Sequence, residues 1–242
     1  MSDWPFRRKL KLLLWLWTVG QALGLLYSFL RITRRVEIKG RDGRKLDPRG
    51  RGLLVIANHP SPVEPMFMTF LSYPRIFFHL GRTPVGLPGK EYYDRRWFWP
   101  IRIMAYPIDR SSMRRGLENG KEVEAMLKAG RVVLMHPERE RVYTEKNMDH
   151  KVSKSGKRMM KFRPGVRRLF LNTNCRVLPV WFDGGQRVIP NKSDVPPPKW
   201  GQWPRIWRKV TIKIGEPMEV PNLSRDEVLD YFEDALLALA DR

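Results

Sequence analysis

The chain has 242 residues, 42% of them hydrophobic and 29% charged, the proportions of a folded domain with room for a sizeable core. Lys and Arg total 46 against 25 Asp and Glu, a formal net charge of +21 that points to nucleic acid, an anionic membrane surface or a phosphorylated substrate. A lone cysteine, Cys175, excludes an intrachain disulfide framework and a multi-cysteine zinc site.

The charge is unevenly spread. Residues 1–50 carry twelve basic and four acidic side chains, whereas residues 221–242 carry two and six. Leu12 to Leu30 is a run of 19 residues without a charge, about 28 Å long as a helix and close to the thickness of a bilayer core. Basic clusters bracket it: Arg7, Arg8, Lys9 and Lys11 before, Arg31, Arg34 and Arg35 after. The run is too long for a signal peptide, and Gly20-x-x-x-Gly24 inside it could break a helix or let two helices approach. Three readings compete: a buried core helix, a transmembrane span with Trp15, Trp17 and Tyr27 near its ends, and a monotopic anchor held to one leaflet. Basic residues at both ends favour the last.

Beyond residue 50 strands and helices alternate. Leu53 to Ala57 is a short apolar strand that delivers Asn58-His59-Pro60, and residues 62–71 follow as a helix. Arg75 to Leu80 and Ile101 to Ile108 are strand candidates. Leu117 to Ala129 has helical spacing and stops at Gly130. Arg131 to Met135 is a strand that delivers His136-Pro137-Glu138, and residues 142–164 read as a long basic loop. Arg176 to Phe182 and Val210 to Ile214 are further strands. Ser224-x-x-Glu227 is a capping box opening an acidic C-terminal helix with Val228, Phe232, Ala235 and Leu239 on one face. This order predicts an α/β fold: a largely parallel or mixed sheet flanked by helices, behind an N-terminal hydrophobic helical membrane anchor. Residues 1–35 are expected to form the membrane-associating segment and residues 36–242 the catalytic domain.

In such sheets, sites form at the carboxyl ends of strands. His59 and Glu64 lie five residues apart across a rigid Pro60-Ser61-Pro62 link. That spacing lets a carboxylate orient an imidazole and leave Nε2 free as a base; it equally suits a surface turn whose histidine caps a helix. Ser61 lacks a nucleophile elbow. Cys175 reads as packing, and His79 and His150 have no evident partner. His136 with Glu138 and Glu140 makes at most a sketch of a metal site, and no His-Glu-x-x-His pattern occurs, so no metal is expected.

The order of the short motifs weighs in favour of chemistry. Asn58-His59-Pro60-Ser61-Pro62-Val63-Glu64 resembles the His-x4-Asp block of the glycerolipid (lysophospholipid) acyltransferase family. Ile108-Asp109-Arg110 resembles its second block, His136-Pro137-Glu138-Arg139-Glu140-Arg141 its Phe-Pro-Glu-Gly-Thr-Arg block, and Val177-Leu178-Pro179-Val180 its fourth. Lys161-Phe162-Arg163-Pro164-Gly165 and Ile214-Gly215-Glu216-Pro217 are similar to two further stretches, so the resemblance covers about residues 50–220. It implies transfer of a fatty acyl group from an acyl thioester, acyl-CoA or acyl-carrier protein, to a lysophospholipid hydroxyl, 1-acylglycerol-3-phosphate being the commonest acceptor. His59 is then the general base and Glu64 its orienting carboxylate, while Arg110, Glu138 and Arg141 take the positions of head-group binding. A guanidinium fork suits a phosphate. No cofactor is implied beyond the thioester co-substrate.

Three departures from the family pattern bear on the dyad and the acceptor. Glu64 stands for aspartate and adds a methylene, Arg139 stands for a glycine, and Glu140 stands for a threonine. The last two keep a lyso-amino-lipid or another lysolipid open as acceptor. A different class, a basic nucleic-acid-binding protein, also fits the charge and the interleaved aromatics. The uncharged run and the lack of any nucleic-acid-binding motif count against it. An inactive relative that only tethers lipid is a third reading. The expected setting is a membrane surface, the catalytic domain on the cytoplasmic face, with the bilayer, the lysolipid and the thioester donor as partners and no nucleic acid.

Overall fold

The computed structural model describes residues 6–40, 51–61, 64–71, 73, 83–138, 149–189, 205–219, 223–225 and 227–242. In chain order its elements begin with α1 (Phe6–Trp15), a π-helical turn (Leu16–Gly20), α2 (Gln21–Ile32), β1 (Val36–Gly40), β2 (Leu53–Ala57) and α3 (Glu64–Phe70). There follow β3 (Val85–Gly86), α4 (Lys90–Tyr93), a 3₁₀ helix (Arg96–Met104), α5 (Met113–Lys128), β4 (Val132–Met135) and the strands β5 (His150–Val152) and β6 (Arg158–Met160). The chain closes with α6 (Gly165–Thr173), β7 (Arg176–Asp183), α7 (Gly185–Val188), β8 (Val210–Ile214) and α8 (Glu227–Asp241).

Among the described residues, six strands form one sheet in the order β1-β8-β7-β2-β4-β3. β7, β2, β4 and β3 are parallel; β8 runs antiparallel to β7 and parallel to β1, so the sheet is mixed. All five residues of β2 are buried, as a central strand covered on both faces requires. Successive side chains alternate between two apolar layers. Leu53, Val55 and Ala57 pack with Leu12, Leu16, Tyr27, Leu30, Met68 and Phe70; Leu54 and Ile56 pack with α5, α6 and α8 through Leu127, Leu169, Phe232 and Leu236. The architecture is three layers, helix on sheet on helix.

The uncharged N-terminal run is one continuous helical stretch that crosses Gly20 and Gly24 without breaking. Gly24 receives an aromatic ring instead of a second long helix: a Cβ there would lie 2.0 Å from Tyr73 Cε2. The stretch buries Leu12, Leu16, Tyr27 and Leu30 in the domain's own core, yet exposes Leu14, Trp17, Leu25, Leu26, Phe29 and Ile32. Leu10–Ile32 is long and apolar enough to cross a membrane, and 33% of its most apolar window is buried.

Three expected elements come out differently. Residues 101–108 are not a strand: Ile101 and Ile103 sit in the 3₁₀ helix and partly pack on the core, and only Ala105 and Ile108 bridge, in parallel, to Gly86 and Gly89. Alternating apolar residues satisfied the packing without the extended backbone. The stretch read as a long basic loop contains the β5–β6 hairpin, which buries Met159 and Met160. Helix α5 starts four residues earlier than expected, where the Ser112 hydroxyl accepts a hydrogen bond from the Arg115 backbone N–H. The strand expected over residues 75–80 lies outside the described residues. At α8 the capping box is present, with the Ser224 backbone N–H donating to Glu227 Oε2 at 2.8 Å.

The hairpin is held to α8 by charge. Lys151 Nζ lies 2.6 Å from Asp230 Oδ1 and 2.8 Å from Glu233 Oε2, and Glu233 Oε1 accepts the Phe162 backbone N–H. Asp241 accepts the backbone N–H groups of Lys154 and Ser155. The acidic C-terminal segment thus answers a basic hairpin within the same chain.

Candidate active site

β2 ends at Ala57, and the chain turns through Asn58–Ser61 at the carboxyl end of the sheet before α3 opens on Glu64. The ladders run out here, so side chains take over the pairing. The Asn58 amide donates to the Phe182 carbonyl at 2.9 Å and accepts the Phe182 N–H at 2.6 Å, latching the turn to β7. On the β4 side, His136 Nδ1 lies 3.2 Å from the Ala57 carbonyl and 3.0 Å from the Asn58 carbonyl, so this nitrogen carries the proton and donates.

The two residues singled out as a dyad meet. His59 Nδ1 is 3.4 Å from Glu64 Oε2, with the Glu64 side chain fully buried and the His59 side chain 19% exposed. Ser61 fastens the carboxyl: its backbone N–H donates to Oε2 at 2.8 Å and its hydroxyl to Oε1 at 2.6 Å. Burial pushes Glu64 up to about 7, against the pull of the Ser61 hydrogen bonds. Nδ1 is the ring nitrogen turned to the carboxylate.

Gly185, which opens α7, leaves the room this requires. A Cβ there would stand 2.1 Å from Glu64 Oε1 and 2.8 Å from Ser61 Oγ. Neither Gly185 nor Ser61 was legible as part of the dyad's support, since both act by proximity across the fold.

Glu138, expected from its motif to bind an acceptor head group, is turned toward the backbone of the turn and the hairpin. It is fully buried, and both oxygens are taken by backbone donors: His59 N–H at 2.7 Å and Met160 N–H at 2.8 Å. Burial lifts it to about 8, opposed by those two hydrogen bonds. Glu138 ties the β5–β6 hairpin to the backbone of His59. Arg141 lies outside the described residues, as do Arg139 and Glu140.

Arg110 follows the 105–108 segment, bridged in parallel beyond β3, and so stands at the same end of the sheet as His59. Three strand spacings of about 4.8 Å place the two strand ends about 14 Å apart. Arg110 lines an open groove of about 610 Å³ with Lys90, Glu91, Asp94, Asp109, Ser111 and Arg115, three basic and three acidic side chains in all. Asp109 is occupied by the Ser111 N–H at 2.9 Å, Arg115 Nη1 at 3.1 Å and Lys90 Nζ at 3.4 Å; the Ser111 hydrogen bonds first, then Lys90, hold its carboxyl down near 2. Cys175 is buried, which raises its thiol, and His150 sits on β5. His79 lies outside the described residues. No group of three metal-ligating side chains occurs among the described residues.

Two outcomes follow from this geometry. Gly185→Ala should displace Glu64 and cost about 10²-fold in turnover, a loss that a shift of about 1 Å at a reacting site can bring; steady-state rates check it. The second concerns pH. Glu64 and Glu138 sit near 7 and 8 in the fold against an ordinary value of 4.5, so the folded chain keeps protons that the unfolded chain releases. Their contribution is complete below about pH 4.5 and is lost as pH rises through 7 to 8, on the order of 1.4 kcal/mol for each pH unit in which one such group is protonated only when folded. Thermal melts between about pH 5 and 8 should fall with rising pH, and Glu64→Gln should flatten that fall.

Comparison with known proteins agrees with the motif order. Residues 35–183 match the family model described as Acyltransferase. Among solved structures, the 1-acyl-sn-glycerophosphate (LPA) acyltransferase PlsC from Thermotoga maritima shares the fold at a TM-score of 0.55 and 19% identity, over 97% of each chain. No curated protein matches the sequence. With the family model spanning more than half of its length and both members of the His-x4-Glu pair inside the matched region, the chain belongs to the acyltransferase family.

Proposed function

We propose that this protein is an O-acyltransferase of phospholipid biosynthesis that moves a fatty acyl group from an acyl thioester to the hydroxyl of a lysophospholipid, 1-acylglycerol-3-phosphate foremost. The observation that carries the reading is the His59–Glu64 contact at the carboxyl end of the sheet, on a turn fastened from both neighbouring strands. His59 Nε2 removes the acceptor's hydroxyl proton as its oxygen attacks the thioester carbonyl. The tetrahedral intermediate collapses, the C–S bond breaks, and the thiolate takes the proton back from the imidazolium to leave as free thiol. Glu64 keeps the ring turned outward and stabilises its charged form. Arg110, on its groove at the same end of the sheet, supplies a guanidinium for the acceptor phosphate. The donor is the thioester of coenzyme A or of acyl-carrier protein.

The reading extends to the membrane. The N-terminal stretch lies lengthwise against the domain, one face in its core, while the outward face is apolar from Leu14 to Ile32 and edged by exposed Arg31, Arg34 and Arg35. A helix bound along its length to a folded domain cannot thread a bilayer without losing those contacts. Its geometry supports a monotopic anchor: outward face in the acyl boundary, basic edge at anionic head groups. The catalytic domain then faces the cytoplasmic leaflet.

The deciding experiment is thiol release by the detergent-solubilised full chain, with lysophosphatidic acid and both donor types. His59→Ala should lose about 10²–10⁴-fold in turnover. Arg110→Ala should raise the acceptor KM and leave the donor KM alone. Near-wild-type turnover in His59→Ala would sink the mechanism. For the anchor, co-sedimentation with anionic vesicles across a salt series should show retention at high salt and release only by detergent. Release by salt alone would reduce the attachment to surface charge.

A further inference from the structure

The chemistry above leaves one group at the site without a role. His136 occupies the first position of the third motif, where the family pattern has phenylalanine. Its ring is stacked on that of His59, centroids 4.4 Å apart and planes inclined by 23°. The two rings come from different strands, His59 from the turn after β2 and His136 from the end of β4, one residue past the last ladder pair, Ile56 with Met135.

The hydrogen bonds of His136 settle its tautomer. Nδ1 faces the carbonyls of Ala57 and Asn58 at 3.2 and 3.0 Å and carries the proton, which leaves Nε2 a bare lone pair. That nitrogen is screened from solvent and meets no hydrogen-bond partner among the described residues. Burial, reinforced by His59 alongside, holds His136 down near 3, so it stays neutral and does not compete for the proton that His59 must take. A phenylalanine could give the stacking surface but not the donor; an asparagine could give the donor but not the ring.

We propose that His136 is a positioning residue for the acyl transfer, a neutral ring that clamps His59 in register with Glu64 while its Nδ1–H pins the two carbonyls that lead into the catalytic turn. The role rests on the proposed function, because it needs His59 to be the base. The stacked ring removes the sideways rotamers that would carry Nδ1 away from Glu64, and the carbonyl contacts keep the backbone beneath His59 from shifting. Both effects favour the reacting geometry rather than ground-state binding, so they fall on kcat.

Three full-length variants separate ring from donor: His136→Phe, His136→Asn and His136→Ala. In thiol release with lysophosphatidic acid and an acyl-CoA, His136→Ala should lose about tenfold or more in kcat with the acceptor KM changed less than about twofold. His136→Phe should recover most of that loss, because the platform returns, and His136→Asn should recover only a small part. A second readout needs no turnover: the rate at which diethyl pyrocarbonate modifies His59, followed by peptide mass. Uncovering one face of the His59 ring should speed its modification about fivefold or more in His136→Ala and His136→Asn and leave it near wild type in His136→Phe. An unchanged His59 modification rate in His136→Ala overturns the proposal, as does an acceptor KM effect without loss of kcat. If the modification rates follow the prediction while the wild-type chain releases no thiol from any lysolipid, the clamp stands and the acceptor assignment fails.

Discussion

A carboxylate taken wholly out of water is tolerable only if its lone pairs are answered, and Glu64 sets that condition for the whole site. Both oxygens are met by Ser61, one by its backbone N–H and one by its hydroxyl, and Oε2 also faces His59. This arrangement needs a helix that begins on Glu64, a turn that brings Ser61 back over its first residue, and a neighbour with no side chain. Gly185 is that neighbour, and it is delivered by a strand more than a hundred residues along the chain. The extra methylene of Glu64 relative to aspartate is absorbed in this pocket, where Ser61 holds the longer side chain's tip.

The same logic governs the turn that carries His59. Strand ladders satisfy backbone groups only as far as their last pair, and the functional residues of a parallel sheet lie just beyond it. Here the missing partners are side chains from three places: Asn58 reaching β7, His136 reaching back from β4, and Glu138 accepting the N–H of His59 itself. Glu138 also takes the Met160 N–H, which joins the hairpin to the turn, and the hairpin is in turn held by Lys151 to the acids of α8. The C-terminal helix therefore supports the turn that carries His59 through two layers of hydrogen bonds and ion pairs.

Charge is distributed to match. The excess of +21 is not uniform solubilising charge: part of the basic charge pairs with the acidic α8, and part edges the outward face of the N-terminal helix. That helix has an apolar stripe on one side and core contacts on the other. α2 packs on α3 through Tyr27 against Phe67 and Phe70, so the helix with the exposed apolar face touches the helix that starts with Glu64.

Much of this was legible in the amino-acid order. The buried strand Leu53–Ala57, the pairing of His59 with Glu64 through a stiff Pro-Ser-Pro link, the capping box of α8 and the uncharged run of the first thirty residues all rest on local chemistry: apolar continuity, short-range spacing, and the demand of a helix end for acceptors. What depended on distant partners was not legible. Residues 101–108 carry strand-like alternation, yet 101–104 pack as the end of a 3₁₀ helix, because burial rewards the apolar positions and not the extended backbone. Strands of three residues in a basic stretch have too little pattern to stand out, and the β5–β6 hairpin becomes stable only against α8. Glu138 reads as a head-group ligand by its place in a motif. Only the fold reveals its burial between two backbone N–H groups, that of His59 on the turn and that of Met160 on the hairpin. The sequence determined which residues could do the chemistry, since acidity, basicity and local reach belong to the side chains themselves. The tertiary structure decided which of them face a substrate and which hold those that do, because that depends on what is brought within 3 Å from the far side of the sheet.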